Sequence, residues 1–113
     1  MLTIYHNPRC SKSREALELL EAENIPHKVR LYLSEPLTRN ELRALLKKLG
    51  MKASEILRRS EPYFKETLKD QFLTESQMLD ELTAHPALVE RPIVASETAA
   101  VVARPAQKLR DLQ

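Results

Sequence analysis

The apolar pattern changes period twice between Leu2 and Tyr32. Leu2 to Tyr5 is a short β-type run that stops at the turn signal His6-Asn7-Pro8. From Ser11 the period is helical: Ala16, Leu17 and Leu20 form one stripe with Leu19 beside it, while Glu15, Glu18 and Glu21 lie outside. Asn24 and Pro26 end that helix. His27 to Tyr32 then alternates, with Val29 and Leu31 separated by Lys28 and Arg30, the pattern of a half-buried strand. Two strands joined by a crossover helix pair in parallel with right-handed sense. The opening therefore commits the chain to an α/β architecture.

The middle of the chain is helical. Thr38-Arg39-Asn40-Glu41 is a capping box, followed by Leu42, Leu45, Leu46 and Leu49 at helical spacing and closed by Gly50, the one glycine of the sequence. Short helices are predicted over Ala53 to Arg58 and Pro62 to Leu68. Thr74-Glu75-Ser76-Gln77 is a second capping box, with Met78, Leu79 and Leu82 on one face before His85-Pro86. The stretch from about 38 to 88 reads as a helical insertion without linker composition, so 1–113 is expected to form a single domain. Ile93-Val94-Ala95 and Ala100-Val101-Val102 are close enough for an antiparallel hairpin, although no glycine lies between them. Pro105 suits the first turn of a closing helix that carries Leu109 and Leu112. The order β-α-β, helical insertion, β-β-α resembles the thioredoxin-like arrangement, with a mixed four-stranded sheet.

Charge and composition exclude several function classes. The 113 residues carry 18 Lys and Arg against 16 Asp and Glu, a net charge of +2, which argues against a nucleic-acid binder. Apolar runs are too short for a transmembrane helix, so no membrane is expected as a partner. Residues 1–10 hold His, Pro and Arg where a signal peptide needs an apolar stretch, and the expected location is cytoplasmic. The single cysteine, Cys10, rules out an intrachain disulfide and a zinc site built on several cysteines, and no metal site is expected.

A lone cysteine can be a small core residue, but the surroundings of Cys10 favour a nucleophile. It falls where strand and turn give way to the first helix, so its sulfur should face unpaired amides and the positive end of the helix dipole. Arg9, Lys12 and Arg14 are close in sequence, and His6 lies upstream on the turn. A free thiol is only about 3% ionised at pH 7. A downward shift of roughly two units, within the range at helix N-termini, makes it mostly thiolate. A phosphatase-like loop wants arginine six positions after the cysteine, where Ala16 stands, and a redox CxxC motif fails at Ser13. Turnover through Cys10 would thus have to be completed by a thiol from outside the chain.

The run Ile4-Tyr5-His6-Asn7-Pro8-Arg9-Cys10-Ser11-Lys12-Ser13-Arg14 resembles the active-site loop of the glutaredoxin-linked arsenate reductase family. Tyr32-Leu33 before Pro36-Leu37-Thr38, Leu57-Arg58-Arg59 before Glu61-Pro62-Tyr63, Glu90-Arg91-Pro92-Ile93-Val94, and Ala103-Arg104-Pro105 continue the resemblance in order. It implies that the Cys10 thiolate attacks arsenate, that glutathione adds as co-substrate, and that glutaredoxin removes glutathione as a mixed disulfide while arsenite leaves. No tightly bound cofactor is implied.

The same resemblance assigns further roles. His6 would help to lower the pKa of Cys10; its alternative is a solvated turn residue. Arg58, Arg91 and Arg104 would bind the oxyanion, for which guanidinium forks are suited, although each could equally be a solvated surface arginine, and Arg59 competes with Arg58 for the first position. Asn7, Ser13 and Arg14 support the loop: Ser13 by a bond toward the sulfur or as a helix cap, Arg14 by an oxyanion contact or a pair with Glu18. Pro92 is expected in the cis form, as the proline facing the cysteine in thioredoxin-like folds. Two other readings remain at this stage: glutathione-dependent reduction of another substrate through Cys10, and a non-enzymatic regulator that binds RNA polymerase, a role of a related branch that commonly carries CxxC.

Overall fold

The computed structural model describes all residues, 1–113. The chain divides into two compact units, Met1–Glu35 with Arg91–Gln113, and Pro36–Glu90.

The first unit contains β1 (Leu2–Tyr5), α1 (Ser11–Ala22), β2 (His27–Arg30), β3 (Ile93–Ala95) and β4 (Ala100–Val102), followed by a 3-10 segment over Ala106–Leu112. The strands form one mixed sheet in the order β2-β1-β3-β4. β1 is parallel to β2 and antiparallel to β3, with Ile4 opposite both Val29 and Val94. β3 and β4 form the expected antiparallel hairpin. Together with the insertion between β2 and β3, this is the thioredoxin-like α/β arrangement.

The core follows the predicted stripes. Leu2 and Ile4 of β1, Ala16 and Leu20 of α1, Val94, and Ala103, Ala106 and Leu109 near the C-terminal end form one buried cluster. Each of these side chains contributes on the order of 1–3 kcal/mol by leaving water. α1 ends where predicted, with Asn24 in the left-handed region at φ 53°, a conformation that asparagine tolerates better than most residues. The glycine-free hairpin is turned by Ser96. Its amide donates to the Ala99 carbonyl at 2.7 Å, and its hydroxyl accepts from the Ala99 amide at 3.0 Å.

Three local expectations need correction. β2 stops at Arg30, because the chain folds back through Ser34 and Glu35 amides bonded to the Leu31 carbonyl. Val29 in β2 and Leu31 just beyond it are 45% and 38% exposed, so the alternation does not place these side chains in the core. The closing element is a 3-10 segment with Pro105 just outside it, held by bonds such as Lys108 N–H to the Pro105 carbonyl.

The second unit contains α2 (Arg39–Leu49), α3 (Ala53–Ile56), a π-helical turn (Phe64–Leu68), α4 (Glu75–Ala84) and a 3-10 turn (Pro86–Leu88). Both capping boxes form: Thr38 Oγ1 accepts from the Glu41 amide, Thr74 Oγ1 from the Gln77 amide, and each glutamate or glutamine returns the bond. Gly50 ends α2 in the left-handed region at φ 68°. α3 is shorter than predicted, and the stretch expected to be a helix from Pro62 is in part a π-turn. The reason for the first is a pairing: Leu57 bridges to Val89, and the Arg58 amide donates to Leu88 while the Glu90 amide donates to Ile56. Those bonds draw Leu57 into an extended conformation and stop the helix at Ile56.

Thr38→Ala and Thr74→Ala should each lower stability by about 1 kcal/mol, the cost of an N-cap. Chemical denaturation followed by circular dichroism measures this; an exposed Thr67→Ala control should change little.

Candidate active site

The site grows from the junction between β1 and α1. The last sheet bond before the loop is the His6 amide to the Arg30 carbonyl, 2.9 Å. The chain then turns through Asn7-Pro8-Arg9. The Asn7 side-chain oxygen accepts from the Arg9 amide at 3.0 Å, and its carbonyl accepts from the Cys10 amide at 3.0 Å, the local turn bonds that asparagine favours. Cys10 has extended backbone angles and is the N-cap of α1. Its carbonyl accepts the first helical bond, from Arg14 N–H at 3.0 Å.

Ser13 ties this loop to the helix. Its hydroxyl lies 2.7 Å from His6 Nδ1 and accepts from the Asn7 amide at 3.0 Å. His6 and Ser13 are both buried polar side chains. Arg14 reaches back to donate to the Pro8 carbonyl at 2.8 Å. It therefore braces the turn and does not pair with Glu18.

Cys10 is half-buried. Burial by itself pushes the thiol up, but the Ser13 amide, the Arg91 guanidinium and the Lys12 amide favour the thiolate, and together they hold it below the ordinary thiol value. Arg91 acts on the sulfur as a donor and as a charge, and the two amides present the positive ends of their dipoles to it. His6 is different. Burial, and then the charge of Arg14, hold its pKa below the usual histidine value, which favours the neutral ring near pH 7.

Arg91 and Arg104 come from the two ends of the β3–β4 hairpin. Arg91 precedes β3, and the Arg91–Pro92 bond is cis. Arg104 follows β4, and its guanidinium donates to the Arg91 carbonyl at 3.3 Å. The Arg104–Pro105 bond is also cis, a feature without a signal in the local sequence reading. This unit thus brings together Cys10, His6, Asn7, Ser13 and Arg14 in one loop, with the Arg91 side chain at the sulfur and Arg104 against the Arg91 backbone.

Arg58 belongs to the other unit. Its Nη1 lies 2.7 Å from Glu61 Oε2, and its Nε lies 3.9 Å from Glu90 Oε1, with the side chain only 17% exposed. Arg59 is exposed and stacks over Phe64 with its guanidinium carbon 5.4 Å from the ring centre. The two arginines are therefore distinct: one is held by carboxylates and the other by an aromatic face. Sequence reasoning missed Glu61 and Glu90 as partners of Arg58, although the i,i+3 spacing of Arg58 and Glu61 was a usable signal. No group of three or more His, Cys, Asp and Glu side chains has the geometry to hold a metal ion. No helix is long and apolar enough to cross a membrane.

Comparison with known proteins extends these observations over nearly the whole chain. The ArsC family model matches residues 5–112. An uncharacterized Escherichia coli protein, YfgD, is 43% identical over 96% of this chain and 93% of its own length. An Escherichia coli arsenate reductase is 37% identical over 98% of this chain and 79% of its own length. The solved structure of an arsenate reductase from Vibrio cholerae has a TM-score of 0.93 at 37% identity, covering 99% of this chain and 97% of that one.

Alkylation of Cys10 by iodoacetamide should have a pH midpoint below that of a free thiol. Arg91→Ala should raise the midpoint by on the order of one pH unit, because it removes a cation that stabilises only the charged form. Cys10 is the one thiol of the chain, so the rate reads this site alone.

Proposed function

Because the chain belongs to the ArsC family, we propose that it reduces arsenate to arsenite through Cys10, with glutathione and glutaredoxin supplying the electrons. The observation that carries this reading is the position of the one cysteine at the N-cap of α1, half-buried, with amides and the Arg91 guanidinium favouring its thiolate.

The chemistry follows from a single thiolate. Cys10 Sγ attacks arsenic(V), and a hydroxyl group leaves as water to form a sulfur–arsenic bond. Glutathione displaces a second hydroxyl and forms a second sulfur–arsenic bond. The thiolate of glutaredoxin then attacks the glutathione sulfur; that bond to arsenic breaks, and its electron pair reduces arsenic to the +3 state. Water releases arsenite and restores Cys10, while glutaredoxin leaves as a mixed disulfide with glutathione. The two electrons come from two external thiols, in keeping with a sequence that holds no second cysteine. Arg91 and Arg104 suit the tetrahedral oxyanion, because guanidinium groups stay charged and offer paired donors. Arg58 enters this reading from the resemblance alone. A reaction that consumes reduced thiols belongs to a reducing compartment such as the cytoplasm.

A coupled assay with arsenate, glutathione, glutaredoxin and recycling of oxidised glutathione by NADPH tests the proposal. Wild-type protein should turn over only when all components are present, and Cys10→Ser should be inactive. With glutaredoxin omitted, Cys10 should accumulate an adduct visible as added mass on its peptide. Turnover by Cys10→Ser would overturn the mechanism. Arg91→Lys should lower kcat/KM by roughly tenfold or more despite its conserved charge, since lysine cannot form the two-pronged contact.

A further inference from the structure

We propose that the outer flank of β2 accepts an extended acidic segment of another protein, which joins the four-stranded sheet as a further strand. The surface lies apart from Cys10, and the proposal does not depend on the reaction carried out there.

The ladder shows which backbone groups face outward. β2 ends the sheet order, with β1 on one flank and no strand on the other. The Leu2 amide donates to the Pro26 carbonyl at 3.3 Å, and the His6 amide to the Arg30 carbonyl at 2.9 Å. Backbone groups along a strand turn to alternate flanks with a period of two. Pro26, Lys28 and Arg30 therefore turn theirs toward β1, and His27 and Val29 turn theirs away from it. The pairing with β1 runs unbroken from His27 to Arg30, and no bulge or proline interrupts it. Such an edge is a template for a further strand. It ends at Leu31, whose carbonyl is taken by the Ser34 and Glu35 amides. The opposite edge, β4, has three residues and no charged side chain.

Side-chain charge selects the occupant. Val29 lies beside Ile4 on one face of the sheet and is 45% exposed, while Lys28 and Arg30 lie beside Thr3 and Tyr5 on the other. Lys28 is exposed, and Arg30 Nε donates to the Glu35 carbonyl at 2.9 Å, which holds the guanidinium at the end of the strand. A second copy of the chain is the wrong partner. Two copies related by a two-fold axis pair antiparallel, and each outward-facing residue has to meet another. The register that sets His27 opposite Val29 also sets Lys28 opposite Lys28. The neighbouring register, with Val29 opposite Val29, sets Lys28 opposite Arg30 twice. In either case cation faces cation across the strands, which is destabilising. The same two cations suit a segment that alternates acidic and apolar residues, with carboxylates opposite Lys28 and Arg30 and an apolar side chain beside Val29.

Amide NMR spectra of the isotope-labelled full chain test this with two end-capped peptides, Glu-Val-Glu-Val-Glu and Lys-Val-Lys-Val-Lys. The acidic peptide should shift the amides of residues 27–31 saturably and slow hydrogen exchange at Val29. The basic peptide at the same concentration should leave them unchanged. Two variants separate charge from backbone. Lys28→Glu, a change at an exposed position, should weaken binding of the acidic peptide by roughly fivefold. Val29→Pro deletes an outward N–H and no bond of the ladder, so it should abolish the peptide-induced shifts while the rest of the spectrum stays that of the folded chain. If Val29→Pro does not fold, Lys28→Glu decides alone, and unchanged binding by it overturns the proposal. So does an equal response to both peptides, a response to neither, or an acidic peptide that shifts only residues around Arg91 and Arg104. Shifts at residues 27–31 that grow with the concentration of the wild-type chain alone would make a second copy the occupant and overturn it as well. None of these measurements involves arsenate or a thiol, so their outcome is separate from that of the proposed function.

Discussion

The buried contact between His6 and Ser13, 2.7 Å long, joins the end of the first strand to the first turn of the first helix. Everything at the site depends on that junction. The sheet sets His6 through the bond of its amide to Arg30, and the helix sets Ser13 through the packing of Ala16 and Leu20 one and two turns further on. The residues between them are left with one short route, Asn7-Pro8-Arg9, which returns to the helix at Cys10. A cysteine placed there becomes an N-cap whatever its own preference, and the helix supplies amides that it would otherwise offer to water.

At the sulfur, two opposed effects are balanced. Burial disfavours the thiolate, and the amides of Ser13 and Lys12 with the Arg91 guanidinium favour it; the favourable set wins. The same partial burial that costs ionisation also strengthens each nearby dipole, since less water screens it. The Arg91 guanidinium has a second use in the proposed reaction, because the charge that stabilises a thiolate also attracts a tetrahedral oxyanion. One cation can thus serve the nucleophile before substrate arrives and the substrate once it is bound.

The Pro36–Glu90 unit is organised by different means. Two capping boxes set the starts of α2 and α4, and Gly50 sets the end of α2. Between them, the bridge from Leu57 to Val89 decides where α3 stops and draws Arg58 and Glu90 onto neighbouring stretches of backbone. Arg58 is consequently neutralised by Glu61 and Glu90 within its own unit. An oxyanion that uses this guanidinium has to compete with carboxylates already present.

Much was legible in the sequence because its signals are local. The period change from two to 3.6 marks β1 and α1, a capping box needs only four consecutive residues, and an N-cap cysteine follows from where a helix begins. The element order of the thioredoxin-like fold and the loop His6 to Arg14 could be read this way. Other features could not, because their causes lie far along the chain. Val29 and Leu31 alternate like buried residues, yet both stay exposed, and strand order is set by pairing between β1 and residues some ninety positions on. The partner of Arg14 is a backbone carbonyl that no spacing rule names. α3 ends at a bridge to Val89 that its own sequence does not announce. Sequence by itself determined which residues could become helix, strand, cap and nucleophile, since those are choices of backbone period and side-chain chemistry. Only the tertiary structure decided that Arg91 stands at the sulfur and that His6 is buried against Ser13, because burial and long-range electrostatics exist only once distant segments have been brought together.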